Sequence, residues 1–143
     1  MLKNIPSILS PELLKILMEM GHSDEIVIGD GNFPAASNAK RLIRCDGHGV
    51  PEMLDAVMQL LPLDTYVEKP VGLMEVVKGD TCPTPPIWEE YEKILNKYEP
   101  EHHDIEYIER FAFYERATKA YLIIATGEKA IYANILLKKG VVK

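Results

Sequence analysis

The sequence has few cysteines and no long apolar run, and each shortage excludes a class of protein. Only two cysteines, Cys45 and Cys82, occur among 143 residues, and their spacing matches no zinc motif. We therefore expect the reduced thiols of a cytoplasmic protein rather than a disulfide framework. No apolar segment approaches the roughly 20 residues that span a bilayer. Only Lys3 precedes the first apolar stretch, which Pro6 interrupts, so we expect no signal peptide.

Clusters of basic residues are missing as well. The formal net charge is -6, and the lysines and arginines are scattered along the chain. Nucleic acids and anionic membranes are bound by basic faces, so we expect neither as a partner. A neutral small molecule remains compatible with this charge. Apolar residues make up 47% and charged residues 27%, which is typical of a folded globular protein, and we expect one domain over residues 1–143.

Helical periodicity is clear in three segments. Ser10 and Pro11 form a helix start, and apolar residues then recur on one face until Gly21. A second helix is predicted from Val50 to the helix-breaking Pro62, and a third over residues 87–98. Residues 112–118 are predicted to form only a helical turn.

Short apolar runs between these helices predict about six strands. They cover residues 25–29, 41–44, 71–77, 105–108, 120–125 and 131–137. The alternation of strands and helices early in the chain favours parallel pairing, and Thr126, Gly127 and Glu128 suggest a tight turn between two antiparallel strands late in the chain. The predicted fold is α/β, with a mixed, mainly parallel sheet of about six strands covered by helices on both faces.

Two polar residues flank the first predicted strand. His22 follows a helix end, where it is either a general acid or base or a surface histidine beside the helix carbonyls. Asp30 follows the strand, in the usual place for binding groups in α/β proteins. Its carboxylate either accepts hydrogen bonds from sugar hydroxyls or forms an Asx turn over the next residues.

Three further residues in the C-terminal part suggest a polyol site. Tyr132 and Asn134 are two apart on the last predicted strand and would share one face, which is either a binding face or a face open to water. Arg110 is predicted to lie at the end of the strand that begins at residue 105. Its guanidinium binds hydroxyls or Asp30, or it is a surface arginine paired with a nearby glutamate.

Metal and phosphate motifs are not recognisable. His48, His102 and His103 have no spacing that would gather three or four zinc ligands. The glycines at 29 and 31 lack the rest of a phosphate-binding fingerprint. We therefore predict neither a metal nor an organic cofactor.

Six stretches of the sequence together resemble a known family, the L-fucose mutarotases and D-ribose pyranases. The resemblance covers nearly the whole chain. The matching stretches are SPELL (10–14), GHSDEI (21–26), Asp30 with FPA (33–35), RFAFYERA (110–117), TGE (126–128) and YANILLKKGV (132–141). The segment from Arg110 to Arg116 is similar to the fucose branch and unlike the ribose branch. One departure is Ser23, which stands where the family usually has glycine.

The resemblance implies an enzyme that interconverts the anomers of L-fucose by proton transfer. His22 matches the proton donor of the family. The positions that match sugar-binding residues are Asp30, Arg110, Tyr132, Ala133 and Asn134. The resemblance also implies a cytoplasmic, ring-shaped homo-oligomer, commonly a decamer. The alternatives are a D-ribose pyranase-type isomerase and a non-catalytic sugar-binding subunit of an uptake system.

The separation of His22 and Asp30 leads to a further expectation. The predicted strand between them has five residues and would hold its ends about 16 Å apart, farther than a pyranose ring extends. We expect a neighbouring subunit to bring its own His22 to the Asp30 of this chain.

Overall fold

A computed structural model describes all 143 residues of the chain, with five helices and six strands. The helices are α1 (Pro11–Glu19), α2 (Ala35–Asn38), α3 (Val50–Met58), α4 (Ile87–Tyr98) and α5 (Arg110–Lys119). The strands are β1 (Glu25–Gly29), β2 (Leu42–Cys45), β3 (Val71–Met74), β4 (Ile105–Ile108), β5 (Leu122–Thr126) and β6 (Ile135–Lys138). No helix is both long enough and apolar enough to cross a membrane. Both cysteines are free.

Local capping explains where α1 and α3 begin. The Ser10 hydroxyl oxygen accepts a hydrogen bond from the backbone N–H of Leu13 over 3.1 Å, and Pro11 follows it. At α3, Pro51 lies in the first turn and the Glu52 carboxylate accepts from the N–H of Gly49 over 2.9 Å. These contacts satisfy amides that a helix start would otherwise leave free, so both starts could be predicted from neighbouring residues alone.

Two helices differ from the prediction. The short α2 was not predicted, and α5 was predicted only as a helical turn over residues 112–118. The Glu109 carboxylate accepts from the N–H groups of Phe111 and Ala112, which starts α5 two residues earlier than predicted. Phe113 and Ala117, one turn apart, are fully buried and hold the helix on the sheet.

One six-stranded sheet has the order β2-β5-β1-β6-β3-β4. β6 runs antiparallel to both of its neighbours, whereas the other pairings are parallel. The predicted mixed, mainly parallel sheet is confirmed. The predicted hairpin of the last two strands is wrong, because β1 lies between β5 and β6.

The turn at Gly127 explains this error. Its N–H donates to the carbonyl oxygen of His48 over 2.9 Å, and a Cβ at this position would overlap the carbonyl oxygen of Asp46. Gly127 is therefore needed for a close approach of two loops, and not for a turn between neighbouring strands. The chain then crosses over the end of β1 before it enters β6.

Alternating residues of the strands divide the core between the two faces of the sheet. Ile26 and Ile28 of β1 belong to a cluster of 26 buried residues that includes residues of α1, α3 and α4. Val27, between them, belongs to a cluster of 11 that includes Phe113 of α5 and Ala35 of α2. This period of two confirms that helices cover both faces.

Candidate active site

A cavity of about 230 Å³ opens at the carboxyl ends of the parallel strands. This is the usual position of binding sites in α/β proteins. The volume is below the roughly 300–1,000 Å³ of drug-sized pockets and suits a small ligand. The residues that line it are Asp30, Asn32, Phe33, Met74, Val77, Asp80, Arg110, Tyr114, Ile131, Tyr132 and Asn134. Four of the predicted binding residues therefore lie together.

Asp30 follows β1 and is 7% exposed. Its carboxylate Oδ1 accepts from the backbone N–H of Asn32 over 3.0 Å, which is the Asx turn that the sequence left as an alternative. Burial raises the pKa of Asp30, and the backbone amides of Asn32, Ala133 and Phe33 offset only part of that rise. Asp30 thus forms the turn and also offers the cavity a carboxylate that is more basic than usual.

Side chains of α4 fix the loop that precedes β6. The indole Nε1 of Trp88 donates to the carbonyl oxygen of Tyr132 over 2.8 Å, and the Tyr91 hydroxyl donates to that of Ala133 over 2.6 Å. Tyr132 has a φ of +54°, in the left-handed region. It therefore cannot continue a strand, and β6 begins only at Ile135, so the predicted strand over 131–137 is wrong at its start.

Asn134 links this loop to Asp30. Its side-chain Oδ1 accepts from the backbone N–H of Asp30 over 2.8 Å, between residues 104 positions apart. The oxygen of the amide is thereby used within the chain, so its Nδ2 is the atom available to donate to a ligand. Tyr132 and Asn134 both line the cavity, as predicted, although a turn places them there and not the face of a strand.

The phenol of Tyr132 is already engaged. It donates to Oδ2 of Asp80 over 2.5 Å and accepts from the backbone N–H of Val77 over 3.3 Å. The hydrogen bond to Asp80 raises the pKa of Tyr132 and keeps the phenol protonated. Between these two side chains, the Asp30 carboxylate is therefore better suited than this phenol to accept a proton.

Arg110 begins α5 and lies exposed at the cavity. Arg110 was predicted to end a strand, but β4 already stops at Ile108. Its guanidinium forms no ion pair: Glu106 binds Arg116 over 2.9 Å, and the Glu109 carboxylate caps α5. The predicted pairings of Arg110 with Asp30 or with a nearby glutamate are therefore wrong, and its donors remain available to sugar hydroxyls.

His22 lies near the other end of the strands, before the first residue of β1, and it does not line the cavity. Its Nε2 is 3.0 Å from Oδ1 of Asp64, its ring centroid is 5.3 Å from that of Tyr66, and its side chain is 41% exposed. The strand β1 lies between it and Asp30, and its five residues alone span about 16 Å. One chain therefore does not bring these two predicted residues together.

Sequence reasoning missed several polar residues of these two regions: Asn32, Asp80 and Tyr114 at the cavity, and Asp64 beside His22. Tyr114 is one helical turn after Arg110, so the i, i+4 spacing was a signal for its place at the cavity. Asp64 directly follows the buried Leu63, just as Asp30 follows the buried strand β1. An aspartate after an apolar residue was a weaker signal than helical spacing. Asp80 lies in a proline-rich loop where no periodicity marked it.

The remaining histidines serve local contacts. His102 Nε2 binds the carbonyl oxygen of Val67 over 2.7 Å, and His48 pairs with Glu52 over 3.0 Å. No group of three or more histidine, cysteine, aspartate or glutamate side chains is arranged to hold a metal ion.

Comparison with known families agrees with this geometry. The RbsD / FucU transport protein family matches residues 3–142. The chain belongs to this family. Within it, the chain is 52% identical over 145 residues to the fucose mutarotase of Homo sapiens, covering 98% of this chain and 94% of the human protein.

Two solved structures place the chain within the RbsD / FucU family. The crystal structure of the fucose mutarotase from Streptococcus pneumoniae in complex with L-fucose has a TM-score of 0.94 and 53% identity, over 99% of this chain and 100% of that one. The structure of Bacillus subtilis RbsD complexed with D-ribose has a TM-score of 0.71 and 26% identity, over 100% of both chains. The chain is thus more similar to the fucose-binding relative.

Proposed function

We propose that this chain is a mutarotase that interconverts the α and β anomers of L-fucose. The observation that carries the proposal is the cavity in which Asp30, Arg110, Tyr132 and Asn134 meet. Together they offer a carboxylate acceptor, a guanidinium, a phenol and an amide Nδ2, a set that matches the several hydroxyls of a monosaccharide. The similarity to fucose mutarotases of human and pneumococcal origin supports L-fucose as the sugar.

The chemistry requires two proton transfers. Opening of the pyranose ring removes a proton from the anomeric hydroxyl and adds one to the ring oxygen. The aldehyde group rotates, and reclosure on its other face reverses both transfers. Asp30 accepts the anomeric proton, which its burial and raised pKa favour, and His22 donates to the ring oxygen. No electron changes hands, so this sequence of steps uses no redox cofactor.

The separation of His22 from the cavity supports a site shared between subunits. In this proposal a ring-shaped homo-oligomer in the cytoplasm, a decamer, places the His22 of one subunit beside the Asp30 of the next. The side chain of His22 is 41% exposed in the single chain, which leaves it accessible to such a neighbour. The imidazole of His22 from the neighbouring subunit then completes each cavity.

Saturation-transfer NMR between the two anomeric protons tests the proposal. L-fucose, D-ribose and D-galactose are each measured with and without the protein. Exchange above the buffer rate with L-fucose, and little with the other sugars, is the expected result. Exchange only with ribose, between its ring forms, would instead identify a pyranase. Saturable fucose binding without added exchange would identify a sugar-binding subunit and overturn the mutarotase.

A further inference from the structure

Glu128 joins three separate segments of the chain, although it does not line the cavity itself. Its backbone carbonyl oxygen accepts from the N–H of Gly31 over 2.9 Å, directly after Asp30. Its side-chain Oε2 accepts from the N–H of Val50, the first residue of α3, over 3.2 Å. Residue 128 therefore connects the Asp30 turn and the start of α3 with the segment that leads to Tyr132.

The other carboxylate oxygen of Glu128 holds that segment. Oε1 accepts from the backbone N–H of Lys129 over 2.9 Å and from that of Ala130 over 3.0 Å. All three donors to the carboxylate are backbone amides, and one lies in the first turn of a helix, where a negative charge is favoured. The start of α3 already has Pro51 and the Glu52 carboxylate, so a helix cap alone does not account for the contacts to residues 129 and 130.

These contacts leave the sugar-binding turn held from both sides. Trp88 and Tyr91 of α4 donate to the carbonyl oxygens of Tyr132 and Ala133, and Glu128 holds the amides of residues 129 and 130. Only Ile131 lies between the two sets of contacts. Tyr132 has a φ of +54°, and a tyrosine keeps this left-handed conformation only where its surroundings impose it. The clamp on both sides supplies that constraint.

We propose that Glu128 is a positioning residue of the sugar site: its carboxylate ties the segment before Tyr132 to the start of α3 and so presets Tyr132 and Asn134 for the sugar. This inference rests on the proposed function of the cavity as the L-fucose site. Glu128 touches no sugar and transfers no proton. Its side chain acts on the binding groups, whereas Asp30 is held through the backbone carbonyl of residue 128, which no side-chain substitution removes.

The first test is Glu128→Gln, with Glu52→Gln as the matched control. Glutamine has one acceptor oxygen, and its Nε2 is a donor that cannot accept from Val50, so it cannot hold both the loop and the helix start. Glu52→Gln likewise removes one carboxylate from the start of α3, but Glu52 has no contact with residues 128–134. Urea denaturation of both variants measures how much each change costs the fold.

The two variants should differ in how they bind the sugar. We expect the half-saturating L-fucose concentration of anomer exchange to rise about tenfold in Glu128→Gln and to stay within about twofold of wild type in Glu52→Gln. Exchange at saturation should fall by no more than about threefold, because burial is the main cause of the raised pKa of Asp30 and the charge of Glu128 a minor one. An equal rise in both variants, or a loss of saturated rate alone, contradicts positioning.

The second test reads the turn without any sugar. Trp88 is the only tryptophan, so its indole N–H gives a single ¹H–¹⁵N signal, and that group donates to the carbonyl oxygen of Tyr132. We expect this signal to shift in Glu128→Gln and not in Glu52→Gln. In the wild type, the amides of Lys129 and Ala130 should exchange with solvent at least about tenfold more slowly than in an unfolded chain.

Wild-type amides at 129 and 130 that exchange at the unfolded rate overturn the proposal, even if Glu128→Gln does not fold. An indole signal that is identical in the wild type and Glu128→Gln overturns it as well. A wild type that binds no L-fucose contradicts the proposed function of the cavity, and the indole and amide measurements still show whether Glu128 holds the turn.

Discussion

The side chain of Asn134 holds the backbone of Asp30: its Oδ1 accepts the Asp30 N–H over 2.8 Å, and both residues are almost fully buried. This contact joins the end of β1 to the entry of β6. It orients the Asp30 carboxylate toward the cavity and leaves the Asn134 Nδ2 to face the same space. One hydrogen bond thus positions two of the groups proposed to bind the sugar.

Removal of this contact should weaken both folding and sugar binding. Asn134→Ala leaves the buried N–H of Asp30 without an acceptor, so we expect a loss of about 1–3 kcal/mol in the free energy of unfolding. Urea denaturation measures this loss, and fucose titration measures the accompanying loss of affinity. The control is Asn96→Ala on the exposed face of α4, expected to change stability by no more than about 0.5 kcal/mol. Equal stability of the two variants would contradict this role for Asn134.

Replacement of His22 should abolish exchange while the sugar still binds. Glutamine keeps a hydrogen-bonding group but cannot transfer a proton near neutrality, so we expect His22→Gln to slow saturation transfer about 10²–10⁴-fold. The matched control is His48→Gln, which also removes a histidine 3.0 Å from a carboxylate, but just before the start of α3 and away from the cavity. A His22→Gln protein that binds fucose and exchanges it at the wild-type rate would refute the role of His22.

Mixed oligomers should recover activity if the site is shared. In the proposed oligomer each interface contains the His22 of one subunit and the Asp30 of another. A mixture of His22→Gln and Asp30→Asn subunits would then regenerate some interfaces with both native residues. We expect partial return of anomer exchange after joint dissociation and reassociation, and none when each variant is treated alone. If every mixture stays inactive although native mass spectrometry detects mixed oligomers, the shared-site proposal fails.

The two buried aspartates should have opposite effects on stability. Burial raises the pKa of Asp30 above 3.8, so its charge destabilises the fold at neutral pH. Asp30→Asn should therefore raise the unfolding midpoint at pH 7, and the gain should shrink as the pH falls through the raised value toward 3.8. The pKa of Asp64 is lowered, so its charge stabilises the fold above pH 3.8.

Asp64→Asn should accordingly lower the midpoint at pH 7, with a deficit that closes only as the pH falls through the lowered pKa of Asp64. Thermal unfolding of both variants across pH 3–7 measures the two curves. Parallel curves for the two variants would show that their effects do not come from ionisation.

Anomer exchange should survive excess chelator. The proposed steps move only protons between side chains and sugar oxygens, and no group of three potential ligands is arranged for a metal. We expect equal saturation-transfer rates before and after dialysis against EDTA. Activity that disappears on dialysis and returns with zinc would show that a metal, and not His22, acts on the ring oxygen.

Much of the fold could be predicted from the sequence because it depends on neighbouring residues. Ser10 and Pro11 start α1 through contacts within one helical turn. The uninterrupted apolar run of Ile26, Val27 and Ile28 predicts a buried strand, and the structure buries it on both faces. The site residues were identified mainly by resemblance to a family. The residues themselves left His22 and Asp30 each with a structural alternative, and in the structure Asp30 both forms the Asx turn and lines the cavity.

The sequence by itself therefore determined the starts of α1 and α3, the approximate positions of the six strands, and the kinds of groups available for proton transfer and sugar binding. Only the tertiary structure decided that β6 enters the sheet antiparallel beside β1, which brings Asn134 to Asp30 across 104 residues. It also decided that Asp64 meets His22. The physical reason is that strand order depends on the packing of apolar faces far apart in the sequence and on close approaches such as that of Gly127 to Asp46. The periodicity within a single element does not predict those contacts.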